Sequence, residues 1–204
     1  ISLRGLANRD LLLIGIGTFG SILTMSAFFT FLPTLMLDTY GISLKWTGFA
    51  IGIGTITGGI TGAAISYVAS TPGRRNQMLQ ALGLLMTVTY VGLSLASSEP
   101  VLMLFALANG VAWGSWPIVA TVPFSLPGLK PREVALAVSI TTTSFSIGTV
   151  LCPIATGFMQ EATDLKTALF VMSFGGLMLT MAGTFLRVGR AETSPSETPS
   201  KAND

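Results

Sequence analysis

Apolar residues fill this sequence in long unbroken runs, without the strict alternation of a half-buried strand or the narrow stripe of a soluble amphipathic helix. Charge-free stretches cover residues 11–37, 46–73, 76–98, 100–129, 134–160 and 167–186. Turn signals at Thr71-Pro72-Gly73, Ser97-Ser98 and Pro127-Gly128 shorten three of them. The resulting spans are 11–37, 46–69, 77–97, 101–124, 134–160 and 166–186, each long enough at about 1.5 Å per residue to cross a hydrocarbon core about 30 Å thick. The pattern predicts an all-α integral membrane protein with six transmembrane helices. Residues 1–10 read as the cytoplasmic end of a linker, and 187–204, polar and rich in Ser and Pro, as a disordered cytoplasmic tail.

Composition strengthens the membrane reading. Half of the 204 residues are apolar and 10% are charged, against roughly 25% charged in a soluble domain; the mean hydropathy is +0.70. The net charge of +2 comes without a basic face, so nucleic acid is not an expected partner. There is no histidine and one cysteine, Cys152, which argues against a disulfide framework, a metal site or a bound cofactor. An intramembrane hydrolase would lack a proton acceptor beside its nucleophile. The first residue is Ile1 and the first run does not resemble a signal peptide, from which we expect a chain that begins partway through a longer protein.

Basic residues assign the sides. Arg4, Arg9, Arg74, Arg75, Lys130, Arg132, Arg187, Arg190 and Lys201 fall on one face of a six-span topology, whereas only Lys45 and Lys166 fall on the other. The positive-inside rule then predicts a plasma (inner) membrane protein with both ends of the chain cytoplasmic. Arg74 and Arg75, in the short stretch STPGRRNQ, mark the second connection as an inner turn.

The spans differ in kind. The second carries Gly48, Gly52, Gly54, Gly58, Gly59 and Gly62, and its Gly54-x-x-x-Gly58-x-x-x-Gly62 repeat allows close backbone approach in lipid. Helix packing and a moving interface both use such a surface. The fifth has a polar stripe of Ser139, Thr142, Ser146, Thr149, Pro153, Thr156 and Gln160, suited to face protein or a water-filled path. The third and sixth, dominated by Leu, Met, Val and Phe, read as peripheral. In the fourth, ALANGVAWGSWP places Asn109, Trp113 and Trp116 on one face, with Trp113 about 18 Å from the outer end. Tryptophan at that depth, away from the headgroup belts, fits either a cavity wall, where amide and indole N–H bond a ligand, or a packed core. Pro117 removes a backbone donor just beyond and can kink the helix. Hydroxyls of the first span, among them Ser26, Thr30 and Thr34 at spacing four, are candidates for the same cavity, as are Thr142, Ser146 and Thr149.

Together these features resemble the C-terminal half of a major facilitator superfamily transporter over roughly residues 5–190. Gly73, Arg74 and Arg75 match the end of the superfamily's loop motif G-x-L-x-D-R-x-G-R-R, while Ser66, Ser70 and Thr71 replace its first glycine, aspartate and first arginine. The stretch from Pro127 is similar to the loop and eleventh helix of other members, with Gly148, Pro153 and Gly157 in a G-x-x-x-x-P-x-x-x-G pattern. The resemblance implies two inverted three-helix repeats, an absent N-terminal six-helix half as partner, and alternating access around a small-molecule substrate. It also implies that the first and fourth helices border the cavity and the second and fifth pack on the missing half. A self-contained channel or scaffold that homodimerises through its glycine-rich second helix is the alternative. Apart from Lys166 at the end of the sixth, no charged residue lies within a span, so a coupling carboxylate would belong to the other half.

Overall fold

The computed structural model describes residues 9–68, 74–125 and 131–186; Gly73, Lys130, the linker residues before Arg9 and the tail from 187 lie outside the described residues. Among the described residues, six helical spans are long and apolar enough to cross a membrane. They comprise α1 (Arg9–Tyr40), α2 (Leu44–Val68), α3 (Arg74–Leu95), α4 (Glu99–Trp113) continued by α5 (Trp116–Ser125), α6 (Pro131–Ala162), and α7 (Leu165–Met172) joined by a 3-10 turn to α8 (Gly176–Phe185).

Each span begins one to three residues before its predicted limit, and the first, fourth and fifth also end past theirs, because polar residues at a membrane surface still satisfy their backbone within the helix. Asp38, Thr39 and Tyr40 continue α1 until Gly41, whose φ of +67° lies in the left-handed region that glycine enters without a Cβ penalty. There the Gly41 N–H bonds the Leu37 carbonyl at 3.2 Å, and Ile42 N–H reaches Met36 at 2.9 Å. At the other membrane surface the helix begins earlier than predicted. Arg74 and Arg75 form the first turn of α3 instead of the connection before it. Arg75 extends from there to donate to the Thr121 hydroxyl of α5 at 3.0 Å.

Pro117 has the effect its chemistry dictates. With no N–H to offer the Trp113 carbonyl, the chain tightens: Gly114 and Ser115 donate to residues three positions back, at 3.0 and 3.1 Å, and the fourth span breaks there into α4 and α5. A second interruption, at Ser173–Gly175, leaves the Met172 carbonyl to accept from Thr24 of α1 at 2.7 Å.

Neighbouring spans follow the order second, fourth, third, sixth, first, fifth, set by the pairings α2–α4, α3–α4, α3–α8, α1–α8 and α1–α6. Exchanging the first three spans with the last three maps this order onto itself. Since the first and fourth spans run in opposite directions, that exchange is the relation between two inverted repeats. The ends of the arc are uncovered: 11% of the most apolar window of α2 and 17% of that of the fifth span are buried, against 44–67% for the other spans. The third and sixth spans pack tightly on each other on one side and present Leu84, Val88, Phe170, Phe174 and Met181 on the other.

Candidate functional site

Between α2 and the first, third and fourth spans lies a cleft of about 560 Å³. Met25, Phe28, Phe29 and Leu32 of α1 form one wall, and Gly54, Gly58 and Gly62 part of another; Tyr90, Asn109, Trp113, Trp116 and Phe145 close the remainder. No charged side chain lines it.

The glycine-rich helix makes this space. On one face of α2, Gly54, Gly58 and Gly62 meet Ala106, Gly110, Trp113 and Pro117 of the fourth span, so closely that a Cβ added at Gly110 would overlap the Gly54 carbonyl oxygen. On the other face, Gly48, Gly52 and Gly59 have nothing within 4 Å. What reads in sequence as one broad glycine surface is therefore two: one packed within the bundle, one open.

Six rings line the cleft, and five of them, all but Phe29, make contacts with one another. Phe28 and Tyr90 have centroids 4.5 Å apart, Trp113 and Trp116 6.5 Å, and Trp116 and Phe145 5.6 Å. A hydrogen bond joins the two groups: the Trp113 indole N–H donates to the Tyr90 hydroxyl at 3.1 Å and to Asn109 Oδ1 at 3.2 Å. The Asn109 Nδ2 in turn donates to Thr89 Oγ1 at 2.9 Å. In a low-dielectric interior such a set is worth making only when its members satisfy one another.

Asn109, Trp113 and Trp116 thus stand together at the cleft, as their spacing predicts. The polar atoms of Asn109 and Trp113 are engaged with Tyr90, Thr89 and each other, whereas the cavity-wall reading of the sequence has them bonding a ligand and the packed-core reading does not. The hydroxyls predicted beside them are elsewhere. Ser26 is buried and Thr30 exposed, and neither lines the cleft. Thr142, Ser146 and Thr149 lie on the uncovered face of α6, with Thr142 and Thr149 donating to the carbonyls of Val138 and Phe145 in their own helix. Along α6, Gly148 packs against Phe19 and Ile22 of α1, Pro153 is exposed, and Gly157 has open space beside it.

Tyr90, Phe28 and Phe145 were missed as site residues. Tyr90 is the one aromatic of α3, and Phe145 interrupts the hydroxyl stripe of the fifth span; each is a ring out of keeping with its surroundings. No corresponding signal singles out Phe28 among the phenylalanines of α1.

An arc of six spans with two-repeat symmetry and a cleft among them defines a multi-pass membrane protein built of inverted repeats. The sequence model of the Major Facilitator Superfamily matches residues 14–203, and the chain belongs to that superfamily. It is similar to the multi-drug resistance efflux pump PmrA from two strains of Streptococcus pneumoniae, in each case 29% identical over 168 residues. Those alignments cover 78% of this chain and 41% of the relative, so the chain spans about two fifths of the length of these curated relatives.

Proposed function

We propose that this chain is the C-terminal six-helix half of a secondary transporter that exports a lipophilic, aromatic small molecule by alternating access. The observation that carries the reading is the placement of an uncharged, ring-lined cleft beside α2, whose outer face is uncovered along with that of α6. A second bundle packed on those two faces would enclose the cleft, and rocking of one bundle on the other would expose it to each side in turn. The name of the pneumococcal relatives, multi-drug resistance efflux pump, favours export and a broad substrate class.

The chemistry of the cleft supports the same class. The Trp113 indole and the Asn109 amide already have protein partners. An apolar aromatic ligand gains contact with the rings without breaking those bonds; a strongly polar ligand would have to compete with them. Coupling to a proton or ion falls to charged groups of the other half. The chain sits in the cytoplasmic membrane with both ends inside, as the basic residues of its flanks and connections favour.

Reconstituted full-length protein tests the proposal. Transport of an aromatic probe is expected to saturate, and Asn109→Ala or Trp113→Ala to alter affinity or selectivity. Unchanged kinetics in both variants would remove the site assignment. The open face of α2 also suits a homodimer of six-helix chains, and a cysteine at Gly52, in a background with Cys152 replaced and carrying a thiol-attached photo-cross-linker, separates the two readings. Cross-linking within one full-length chain fits the half-transporter; a product of twice the mass fits the dimer.

A further inference from the structure

Thr89 has no place in the cleft wall, yet it sits at the root of the hydrogen bonds that hold one. Its hydroxyl is buried on α3 and donates to the Met86 carbonyl at 3.0 Å. Since that single proton is committed, Thr89 Oγ1 can act toward Asn109 only as an acceptor. The Asn109 Nδ2 fills that role at 2.9 Å. An amide with its NH2 so fixed must turn its carbonyl oxygen the other way, and Oδ1 is what the Trp113 indole N–H meets at 3.2 Å. Were the amide reversed, it would point a donor at a donor. The orientation of a cleft-lining indole is therefore decided by a hydroxyl outside the cleft.

We infer that Thr89 is a positioning residue that sets substrate selectivity through Asn109, by fixing the amide orientation that locks the Trp113 ring across the cleft. The inference rests on the transporter reading for its selectivity consequence, while its structural part stands independently. Trp113 is the ring between the two halves of the aromatic arc, stacked near Trp116 and bonded to Tyr90. Releasing its N–H from Asn109 leaves Tyr90 as its hydrogen-bond partner and loosens the ring, which changes the width of the cleft more for a large ligand than for a small one. The third span, peripheral by composition, acquires a functional role without touching the ligand at this position.

The test uses full-length protein labelled with fluorotryptophan, the Trp113 fluorine resonance being assigned with Trp113→Phe. Thr89→Val keeps the shape and removes the hydroxyl; Thr89→Ser keeps the hydroxyl; Thr89→Ala is a second hydroxyl-free variant should the valine form fail to fold. The Trp113 resonance is expected to move in the valine or alanine form and to return in the serine form. A resonance unchanged by loss of the hydroxyl overturns the inference, whatever the protein transports. In transport assays with one large and one small aromatic probe, the ratio of KM values is expected to shift about fivefold, the equivalent of one ordinary hydrogen bond, with Vmax per folded molecule preserved. A fall in Vmax at constant KM ratio would mark a merely structural residue and overturn the selectivity role. Absence of saturable transport by the wild type defeats the transporter reading instead and leaves the resonance result decisive for Thr89.

Discussion

The Trp113 indole N–H and the Tyr90 hydroxyl, on different spans and 23 positions apart in sequence, meet at 3.1 Å and tie the fourth span to the third at the cleft. Tyr90→Phe removes the acceptor while keeping the ring against Phe28. Loss of one such bond is expected to cost about 1 kcal/mol of stability. The larger effect should fall on ligand affinity, because Trp113 keeps only Asn109 as a partner. Thermal unfolding in detergent and ligand titration on the same samples check both; a variant with unaltered affinity would separate Tyr90 from the site.

Backbone proximity makes a sharper contrast along α2. Gly110→Ala places a methyl group against the Gly54 carbonyl and the Thr57 side chain. Overpacking of this kind costs about 1–3 kcal/mol, and we expect a lowered melting temperature. Gly52→Ala adds the same methyl group where nothing lies within 4 Å, and on the six-helix chain alone it should stay within about 0.5 kcal/mol of wild type. Gly52 does not line the cleft, so if Gly52→Ala impairs transport by the full-length protein while leaving the stability of the isolated chain unchanged, the open face is a contact surface for another element.

At the N-terminal end of the sixth span, the Asp164 carboxylate accepts from the backbone N–H and the hydroxyl of Thr167, each at 2.8 Å. The backbone bond, then the hydroxyl bond, hold its carboxyl below the ordinary range. A group with a depressed folded-state pKa contributes stability above its unfolded value and loses it as pH falls through the folded one. The first turn of α7 should therefore lose hydrogen-exchange protection, relative to intrinsic rates, as pH falls below about 4. Asp164→Asn retains an acceptor oxygen and should show a flatter response. Equal pH dependence in the two proteins would refute the cap as the cause.

Much of the fold is legible in the sequence because lipid imposes a simple requirement: an apolar run long enough to cross must be helical. Six runs therefore predict six spans, and Pro117 forecasts the break at Gly114–Ser115. Span order is less legible, since lipid is as apolar as a leucine face and hydropathy does not say which helix a face meets. That is why Gly54 and Gly59 look alike in sequence but differ in surroundings. It is also why Ser26 and Thr30 share a spacing with Thr34 without sharing an environment. The site was half legible. Two tryptophans and an asparagine deep in a span are anomalous wherever they pack, but Tyr90 and Thr89 become their partners only through the pairing of α3 with α4.

Orientation can be tested by chemistry at the membrane surfaces. In a cysteine-free background, which requires replacement of Cys152, cysteines at Lys45 and at Lys166 should react with an impermeant thiol reagent in intact cells. A cysteine at Arg74 should react only after permeabilisation. Labelling of all three in intact cells would contradict the assigned sides.

The central claim is that the cleft beside Trp113 and Trp116 holds an apolar aromatic substrate, and equilibrium binding tests it most directly. Purified full-length protein should bind a lipophilic aromatic probe at one saturable site, with Kd raised about tenfold by Trp113→Ala, as loss of a large aromatic contact implies. Binding that is saturable but equally tight in wild type, Trp113→Ala and Trp116→Ala would contradict the account.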